Sequence, residues 1–464
     1  MFYLKRKRII NEVNGSALVF ALLMTTILAV ICVLVLRMEF FRLAFISKKI
    51  HQKQAVYYAE AGIYKTLWYL SGHEGITNDW RPVEESIEIF NNQKCYVTVK
   101  EWGAYLDITS RVNYKGISET VQVVAAEIPT SVYSQAVVLG NSKFPLVVTG
   151  KNRIIGDVTV STEGVKTGKI EGKGFEGITP VQGRIHRREN PGLPFFDPTL
   201  FKNLFICYQN LLQYGRDCSF FYQDIKITDK IMKENKPENI YVNGHVLITD
   251  SLLSNSLTGP IKIISTGDIH VTDSIFIKEY VELIAAGNIY IKDQTSIDQG
   301  IIFAGEKVEI SGQSSINAQV FTRGNIVIKE QAQVRYPSVL YCSGQVIDNV
   351  LRGNIIIQDN SQVIGAIILF PLEKERSYRN DETFIYITQG AMTAGVVYSY
   401  HSVDLRGCIY GTVVTSIFDF YLHPTSYRNW LKDAVIDRTQ LPDNFLLPLS
   451  FRSDPVYKVL WWKG

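Results

Sequence analysis

The stretch that decides the fold is IISTGDIHV at residues 263–271, which returns at residues 283–291 as LIAAGNIYI. Both copies place aliphatic residues before a glycine, and a polar residue with more alternating aliphatic residues after it. Successive glycines of the five best copies are 20, 18, 19 and 20 residues apart. With one earlier copy, the turn glycines are Gly244, Gly267, Gly287, Gly305, Gly324 and Gly344. This period, with strand residues and no helix between the strands, predicts a mainly β chain built as a parallel β-solenoid.

Alignment of the copies on their glycines predicts which side chains face the core, because successive side chains of a strand point to opposite faces. One inward column is Ile263, Leu283, Ile301, Val320 and Leu340. A second column, two residues further on, is Ser265, Ala285, Phe303, Thr322 and Cys342. The cysteine of this column is therefore expected to be buried. The residues just after the glycines should form a polar ladder at the outer turn: Asp268, Asn288, Glu306, Asn325 and Gln345.

The solenoid is expected to span residues 131–420, with an insertion at about 164–238. Inside the insertion, apolar residues at helical spacing predict a helix over residues 198–214. They are Leu200, Leu204, Cys207, Leu211 and Tyr214. We expect the insertion to cover one side of the rod, although a separate binding lobe is the alternative.

Two smaller regions flank the solenoid. Residues 73–130 contain short β-type runs separated by turn residues, which predict a small sheet packed on the preceding helix. Residues 421–464 are rich in aromatic side chains, and we expect them to cap the end of the solenoid, where strand edges need cover.

The N-terminus has the pattern of a membrane anchor. Residues 1–15 form a basic leader, and residues 16–36 run for 21 positions without a charge. A helix of that length covers roughly 30 Å, the thickness of the bilayer's hydrocarbon core. Because the basic cluster precedes the span, the positive-inside rule places the N-terminus in the cytoplasm and the body outside.

The helix is expected to continue beyond the membrane, since no helix breaker follows the span. Residues 37–72 carry an amphipathic stripe, which predicts one unbroken helix from about Ser16 to Leu70 with its outer half against a partner surface. The stripe consists of Leu43, Ile46, Ile50, Gln54, Tyr57, Ala61, Tyr64 and Trp68. A plain single-pass anchor with a helical stalk is the alternative.

Three features of this region occur together: Gly15-Ser16-Ala17-Leu18-Val19 after the basic residues, the long apolar helix, and the run Tyr57-Tyr58-Ala59-Glu60-Ala61-Gly62. They resemble the start of bacterial type IV pilin-like proteins, of the minor pilin and pseudopilin kind with a PilX-like N-terminus. The resemblance implies cleavage after Gly15 by a prepilin peptidase, methylation of Ser16, and packing of the helix in a filament. The helix positions concerned are Phe20, Leu23, Ile27, Ala61 and Gly62.

The resemblance also implies partners: the bacterial inner membrane, the prepilin peptidase, a pilus or secretion assembly platform, other pilin-like subunits and a surface ligand. Major pilins of that family carry Glu at the fifth mature position, where this chain has Phe20. The difference implies a minor, initiating or tip subunit rather than one that builds the shaft.

Composition argues against several other classes of protein. The formal net charge is only +3 with dispersed basic residues, so nucleic acid is not an expected partner. Six cysteines include no Cys-x-x-Cys pair, and the histidines are scattered, so neither a metal nor a cofactor is expected. Cys207 and Cys218 can pair in an oxidising compartment, or they can remain unpaired.

Three classes of function remain. The first is a non-enzymatic pilin-like or pseudopilin-like subunit that displays the solenoid at the surface or at a filament tip. The second is a single-pass periplasmic or surface scaffold that never enters a filament. The third is a membrane-tethered carbohydrate-active β-helix enzyme, for which Asp268 and Glu306 offer the acidic side chains that glycoside hydrolysis needs. Asn and Asp also suit turns, so we expect no enzyme here.

Overall fold

The computed structural model describes residues 9–72, 83–90, 93–140, 143–213, 219–227, 239–249, 257–258, 261–372 and 380–463. The fold is mainly β, as predicted. It combines one long apolar N-terminal helix, a small antiparallel sheet and a large stack of parallel strands.

Helix α1 runs without a break from Ile9 to Gly72. Every side chain from Ala17 to Ile50 is exposed. Within Ala17–Gly72, an 18-residue window reaches a mean hydropathy of 3.0 and none of it is buried in the protein. By length and composition, this helix is compatible with a membrane anchor.

The small antiparallel sheet packs on the second half of α1. Its strands, in spatial order, are β1 (Val83–Glu88), β2 (Lys94–Trp102), β3 (Tyr105–Tyr114), β4 (Ile117–Glu127) and β5 (Tyr457–Lys463). The first four follow one another in the chain, whereas β5 comes from the C-terminus and pairs with β4. The whole solenoid, residues 128–456, is therefore an insertion between two neighbouring strands of this sheet.

The parallel stack is a solenoid with three faces, which we call A, B and C. Strands confined to face A are Val137–Leu139, Val158–Ser161, Ile185–Arg188, Ser219–Phe221, Asn239–Val242, Ile261–Ser265 and Val339–Cys342. Those of face B are Leu146–Thr149, Val165–Thr167, Ile225–Ile227, Val246–Ile248, Ile269–Val271, Asn288–Ile291, Lys307–Ile310, Asn325–Ile328, Asn354–Ile357, Phe384–Ile387 and Trp430–Lys432. Those of face C are Arg153–Ile155, Leu257–Thr258, Gln333–Val334 and Val435–Asp437.

Longer strands bend from one face to the next. Phe276–Ala285, Ser296–Ala304, Ser315–Thr322 and Gln362–Leu369 pass from face C to face A, and Met392–Leu405 and Cys408–Leu422 continue into face B. Two hairpins project from the coils: Gln345–Ile347 with Val350–Arg352, flanked by Asn380–Asp381, and the outer end of Cys408–Leu422 with Thr425–Arg428. Aliphatic side chains from all three faces fill the interior.

The coils do not stack in simple chain order. The strand at 412–415 pairs with Val137–Leu139, which pairs in turn with Val158–Ser161, and the next strand is Ile185–Arg188. The first solenoid segment of the chain therefore lies beyond its last coil. Among the described residues, face A has thirteen stacked strand segments, so the rod is about 58 Å long at ~4.8 Å per strand.

Helix α2 (Thr199–Gln213) returns the chain to the other end of the rod. It lies along face A, where Phe201 stacks on Tyr341 with ring centroids 4.1 Å apart and Phe205 meets Phe303 edge-on at 5.1 Å. A helix was predicted here, and its role as a cover of one side of the rod agrees with the structure. The predicted limits of the insertion differ, because residues 165–167 and 185–188 belong to the end coil.

The prediction for residues 421–464 is wrong. Residues 430–437 form parts of a coil, and residues 457–463 form β5 of the antiparallel sheet. The last coil is covered instead by residues 137–188, so its strand edges are paired rather than capped by aromatic side chains.

The predicted alignment of the copies is shifted by one residue in the coil that contains Gly305. Ile302, not Ile301, pairs with Leu283 and with Val320 and points inward. The reason is that Glu306, not Gly305, occupies the turn position of this coil. Phe303 consequently faces outward and packs under α2.

A similar shift follows Cys342, which is fully buried as predicted. Gly344 opens the first hairpin, and Gly353 holds the turn position of that coil. Gly244, Gly267, Gly287 and Gly324 lie at the turn between faces A and B. Close stacking explains the glycines, since a Cβ atom at Gly324 would overlap the carbonyl oxygen of the residue below it.

Candidate assembly surface and the joint to the solenoid

The second half of α1 packs on the antiparallel sheet through small side chains. Ala55, Ala59 and Ile63 are fully buried against strands β2, β3 and β4. Gly62 lies at the closest point, where a Cβ atom would come within 2.5 Å of the Ser110 hydroxyl. Small residues at this spacing allow the helix and the sheet to approach closely.

The stripe predicted from large residues lies on the opposite side of α1 and is exposed. Tyr57 is 65% exposed, Tyr64 57% and Trp68 65%. Ile46 and Ile50 extend the same side toward the membrane. The prediction of an amphipathic stripe identified the outer face of the helix rather than the face that meets the sheet.

The last strand widens this exposed surface. Trp462 of β5 is 42% exposed, and its ring lies 6.1 Å from that of Tyr64 in an edge-on arrangement. We call Ile46, Ile50, Tyr57, Tyr64, Trp68 and Trp462 the outer stripe. An exposed run of large apolar side chains of this length is typical of a surface that binds another protein. Ala61, a predicted filament residue, is half-buried beside it.

The positions predicted for processing and for the membrane span lie farther toward the N-terminus. Gly15 and Ser16 are both inside α1, which begins before them at Ile9. Phe20, Leu23 and Ile27 are exposed on the apolar part of the helix. A glycine inside a helix weakens it by roughly 0.5–1 kcal/mol, which helps the chain to unwind locally at position 15.

A buried glutamine joins the antiparallel sheet to the solenoid. Gln319 of face A is fully buried, and its Oε1 accepts a hydrogen bond from the Ala104 N–H at 2.6 Å. Its Nε2 donates to the Trp102 carbonyl at 2.9 Å. Gly103, between these two, has φ +59°, and a Cβ atom there would overlap the glutamine side chain. We call this contact the latch, because it ties the β2–β3 turn to the middle of the rod.

A buried carboxyl group holds the C-terminal segment against β4. Glu127 is 2% exposed, and its two oxygens accept from the N–H groups of Ser450 and Phe451, each at 2.9 Å. Its backbone exchanges two hydrogen bonds with Leu447. Burial raises the pKa of Glu127 to about 8, against the lowering influence of the two N–H donors and Arg452.

Of the predicted polar ladder, Asp268, Asn288 and Asn325 lie in register, whereas Lys307 and Asn354 take the positions predicted for Glu306 and Gln345. The acidic side chains at these turns bond to neighbouring coils. Asp268 Oδ1 accepts from the Asn288 N–H at 2.7 Å and from its side-chain amide at 3.1 Å. Asn325 Oδ1 accepts from the N–H of Asn354, one coil further on. Glu306 approaches the Asn288 amide at 3.4 Å. Among the described residues, no group of three His, Cys, Asp or Glu side chains is arranged to hold a metal ion.

The cysteines that the structure describes are free thiols. Burial raises the pKa of Cys342 to about 12, which keeps it in the thiol form. Cys207 is exposed on α2 and free. Its suggested partner Cys218 lies outside the described residues, so the pairing stays a prediction.

Sequence reasoning missed both the latch and the Glu127 contact. Gln319 sits beside a repeat position like any other polar strand residue, and Glu127 ends an ordinary strand, so neither has a local signal. Gln319 gains its role from the packing of the sheet on face A, and Glu127 from the return of the C-terminal segment to β4; both contacts join residues more than 200 positions apart in the chain.

No protein-family profile and no curated protein sequence matches the chain. Among solved structures, the chain has a likeness to the competence-associated pilin ComZ from Thermus thermophilus, with 10% sequence identity and a TM-score of 0.23. The match covers 89% of this chain and 97% of that one. This overlap is too slight for that pilin's properties to be transferred to this chain.

Proposed function

We propose that the chain is a non-enzymatic minor pilin-like or pseudopilin-like subunit of a bacterial type IV pilus or a related filament or secretion system. The observation that supports this best is α1. Its first half is apolar and exposed from Ala17 onward, and its second half carries the body on a small antiparallel sheet while leaving the outer stripe exposed. Such a helix suits both residence in a membrane and packing beside other helices.

In this proposal, α1 moves from the bilayer into a bundle of similar helices. Lipid tails are about as apolar as the side chains that replace them, so the exchange costs little free energy. The prepilin peptidase first cuts after Gly15 and exposes Ser16. Phe20 supplies no carboxylate at the position where shaft subunits carry one, so the subunit initiates the filament or ends it.

The solenoid is then the displayed part, and its attachment suits that role. Two chain connections join it to the sheet, one after β4 and one before β5. The latch adds a third contact in the middle of the rod. Together with the packing of Trp102 and Tyr105 against face A, these connections hold the rod at a fixed angle to α1, so that a ligand bound on the rod transmits force to the filament.

Substitution within the outer stripe tests the proposal. We expect Tyr57→Glu with Trp68→Glu to abolish recovery of the protein in the filament fraction sheared from cells of the native host, while its amount in membranes stays unchanged. Tyr222→Glu is the matched control, because Tyr222 is an exposed tyrosine, 82% accessible, at the end of the rod opposite residues 137–188.

Equal recovery of the stripe variant and the control in the filament fraction would contradict the proposal. Complete absence of the wild-type protein from that fraction, with normal membrane levels, would favour an anchored periplasmic or surface scaffold instead.

A further inference from the structure

An open groove runs along the corner between faces B and C. It has a volume of about 600 Å³ and is lined by residues of five successive coils. These are Ser274, Asp293, Gln294, Gly312, Gln313, Glu330, Gln331, Asp359 and Asn360. Helix α2, the C-terminal segment and the antiparallel sheet pack on face A, so this corner is left open to solvent.

The backbone explains why polar side chains repeat there. Each coil turns the corner with two consecutive residues in the left-handed region, for example Glu330 at φ +58° and Gln331 at +63°. The backbone of each turn bonds to the next coil: the Gln313 N–H donates to the backbone carbonyl of Glu330 at 3.0 Å. Because backbone N–H and C=O groups of successive turns bond to each other, the side chains are not needed to hold the turns.

Several side chains of the groove are available to a ligand, whereas the Ser274 hydroxyl already donates to the Asp293 carbonyl at 2.9 Å. Among the described contacts within it, one side-chain pair is bonded directly, Gln313 Nε2 to Gln331 Oε1 at 3.4 Å, which is long for a hydrogen bond. Lys329, beside the groove, is held by Glu309 at 3.1 Å and approaches Glu330 at 3.6 Å. The lining therefore offers amides and carboxylates, and no basic side chain.

We propose that this groove binds an extended, non-anionic glycan whose chain runs parallel to the rod. Amide and carboxylate groups bond sugar hydroxyls as both donors and acceptors. A pyranose unit advances an extended chain by roughly 5 Å, close to the ~4.8 Å step between stacked strands. Five coils span about 19 Å, so four or five units would each meet the same set of polar groups.

Charge decides between glycan classes. Asp293, Glu330 and Asp359 place carboxylates along the groove at intervals of one or two coils. An acidic polysaccharide would bring like charges against them, whereas a neutral glycan would not. The inference extends the proposed display function but does not depend on it, because binding is measured on the isolated chain without filament assembly.

Isothermal titration calorimetry of the full chain in lipid nanodiscs tests this, since nanodiscs avoid sugar-based detergents that would compete. The probes are cellohexaose and chitohexaose, with the hexamer of galacturonic acid as the anionic comparison. The variant is Gln313→Gly with Gln331→Gly, because glycine accepts the left-handed backbone at both positions. The matched control is Gln333→Ala with Gln362→Ala, which removes two exposed glutamines from the neighbouring face C.

We expect at least one neutral hexamer to bind the wild type and the control equally, and the groove variant at least tenfold more weakly. Three results would overturn the proposal: no heat of binding with either neutral hexamer at millimolar concentration, tighter binding of the anionic hexamer, or equal affinities of wild type and groove variant. A loss of the same size in the control would also overturn it, because the site would then lie elsewhere.

Discussion

Replacement of Gln319 by leucine should loosen the joint between the antiparallel sheet and the solenoid. Leucine has a similar volume but no polar atoms, so the Ala104 N–H and the Trp102 carbonyl would stay buried without partners. Each unpaired buried group costs about 1–3 kcal/mol. Partial relaxation of the β2–β3 turn reduces the sum, and we expect a loss of about 2–4 kcal/mol.

Hydrogen exchange measured by mass spectrometry on the full chain in nanodiscs detects this loss locally. A decrease of about 2 kcal/mol in the free energy of opening speeds exchange of the turn amides roughly 30-fold. Gly103→Ala should act in the same direction, because its Cβ atom would displace the Gln319 side chain. Gln333→Leu is the control, since that glutamine is exposed and surface changes rarely exceed ~0.5 kcal/mol.

Exchange at residues 102–106 that is unchanged in Gln319→Leu would refute the latch. So would an equal acceleration in Gln333→Leu, because a general destabilisation would then explain both. In either case the rod would not be held to the sheet at its middle.

Three further predictions concern the helix and the buried acid. Gly62→Val should destabilise the packing of α1 on its sheet by about 1–3 kcal/mol in denaturant unfolding, whereas Gly72→Ala, with open space around it, should not. Leu23→Lys or Ile27→Lys should reduce the amount of protein that fractionates with membranes, since a charge at the centre of a span costs about 2.5–3.5 kcal/mol; normal fractionation would count against the span. The pKa of Glu127 is raised to about 8, so the folded chain keeps a proton that the unfolded chain releases above pH 4.5. The free energy of unfolding should therefore fall by up to ~1.4 kcal/mol per pH unit as the pH rises from 5 to 8. Glu127→Gln should flatten that slope.

The repeat was enough to predict the solenoid, because one short pattern returns at the period of a coil and must place the same side chains inward each time. Alignment on glycines failed where Glu306 takes the turn position and where a hairpin opens at Gly344. Glycine is favoured at such turns but not required at each of them, so the inward column can only be fixed by pairing with the coils above and below.

The position of residues 137–188 could not be predicted for a different reason. Their strands pair with a coil more than 250 residues later in the chain, and the glycine-centred run IIGDVTV at residues 154–160 does not say with which coil it pairs. The same holds for β5, whose aromatic residues suggested a cap although they complete a distant sheet. Long-range pairing of this kind leaves no trace in local periodicity.

The helix shows that a stripe of large residues reveals only one of its two faces. Large residues at helical spacing identified the outer stripe, including Tyr57 and Trp68, as the contact with a partner. The contact inside the chain is made instead by Ala55, Ala59 and Gly62, which are small and give a weak apolar signal. Close packing of a helix on a sheet therefore has to be read from small residues as well as from large ones.

The most direct test of the central claim is the intact mass and N-terminal residue of the protein purified from membranes of its host, with and without the prepilin peptidase. We expect a mature chain that begins at Ser16 when the peptidase is present and at Met1 when its gene is deleted. An uncut chain that begins at Met1 in both strains would contradict it, and would leave an anchored solenoid that never joins a filament.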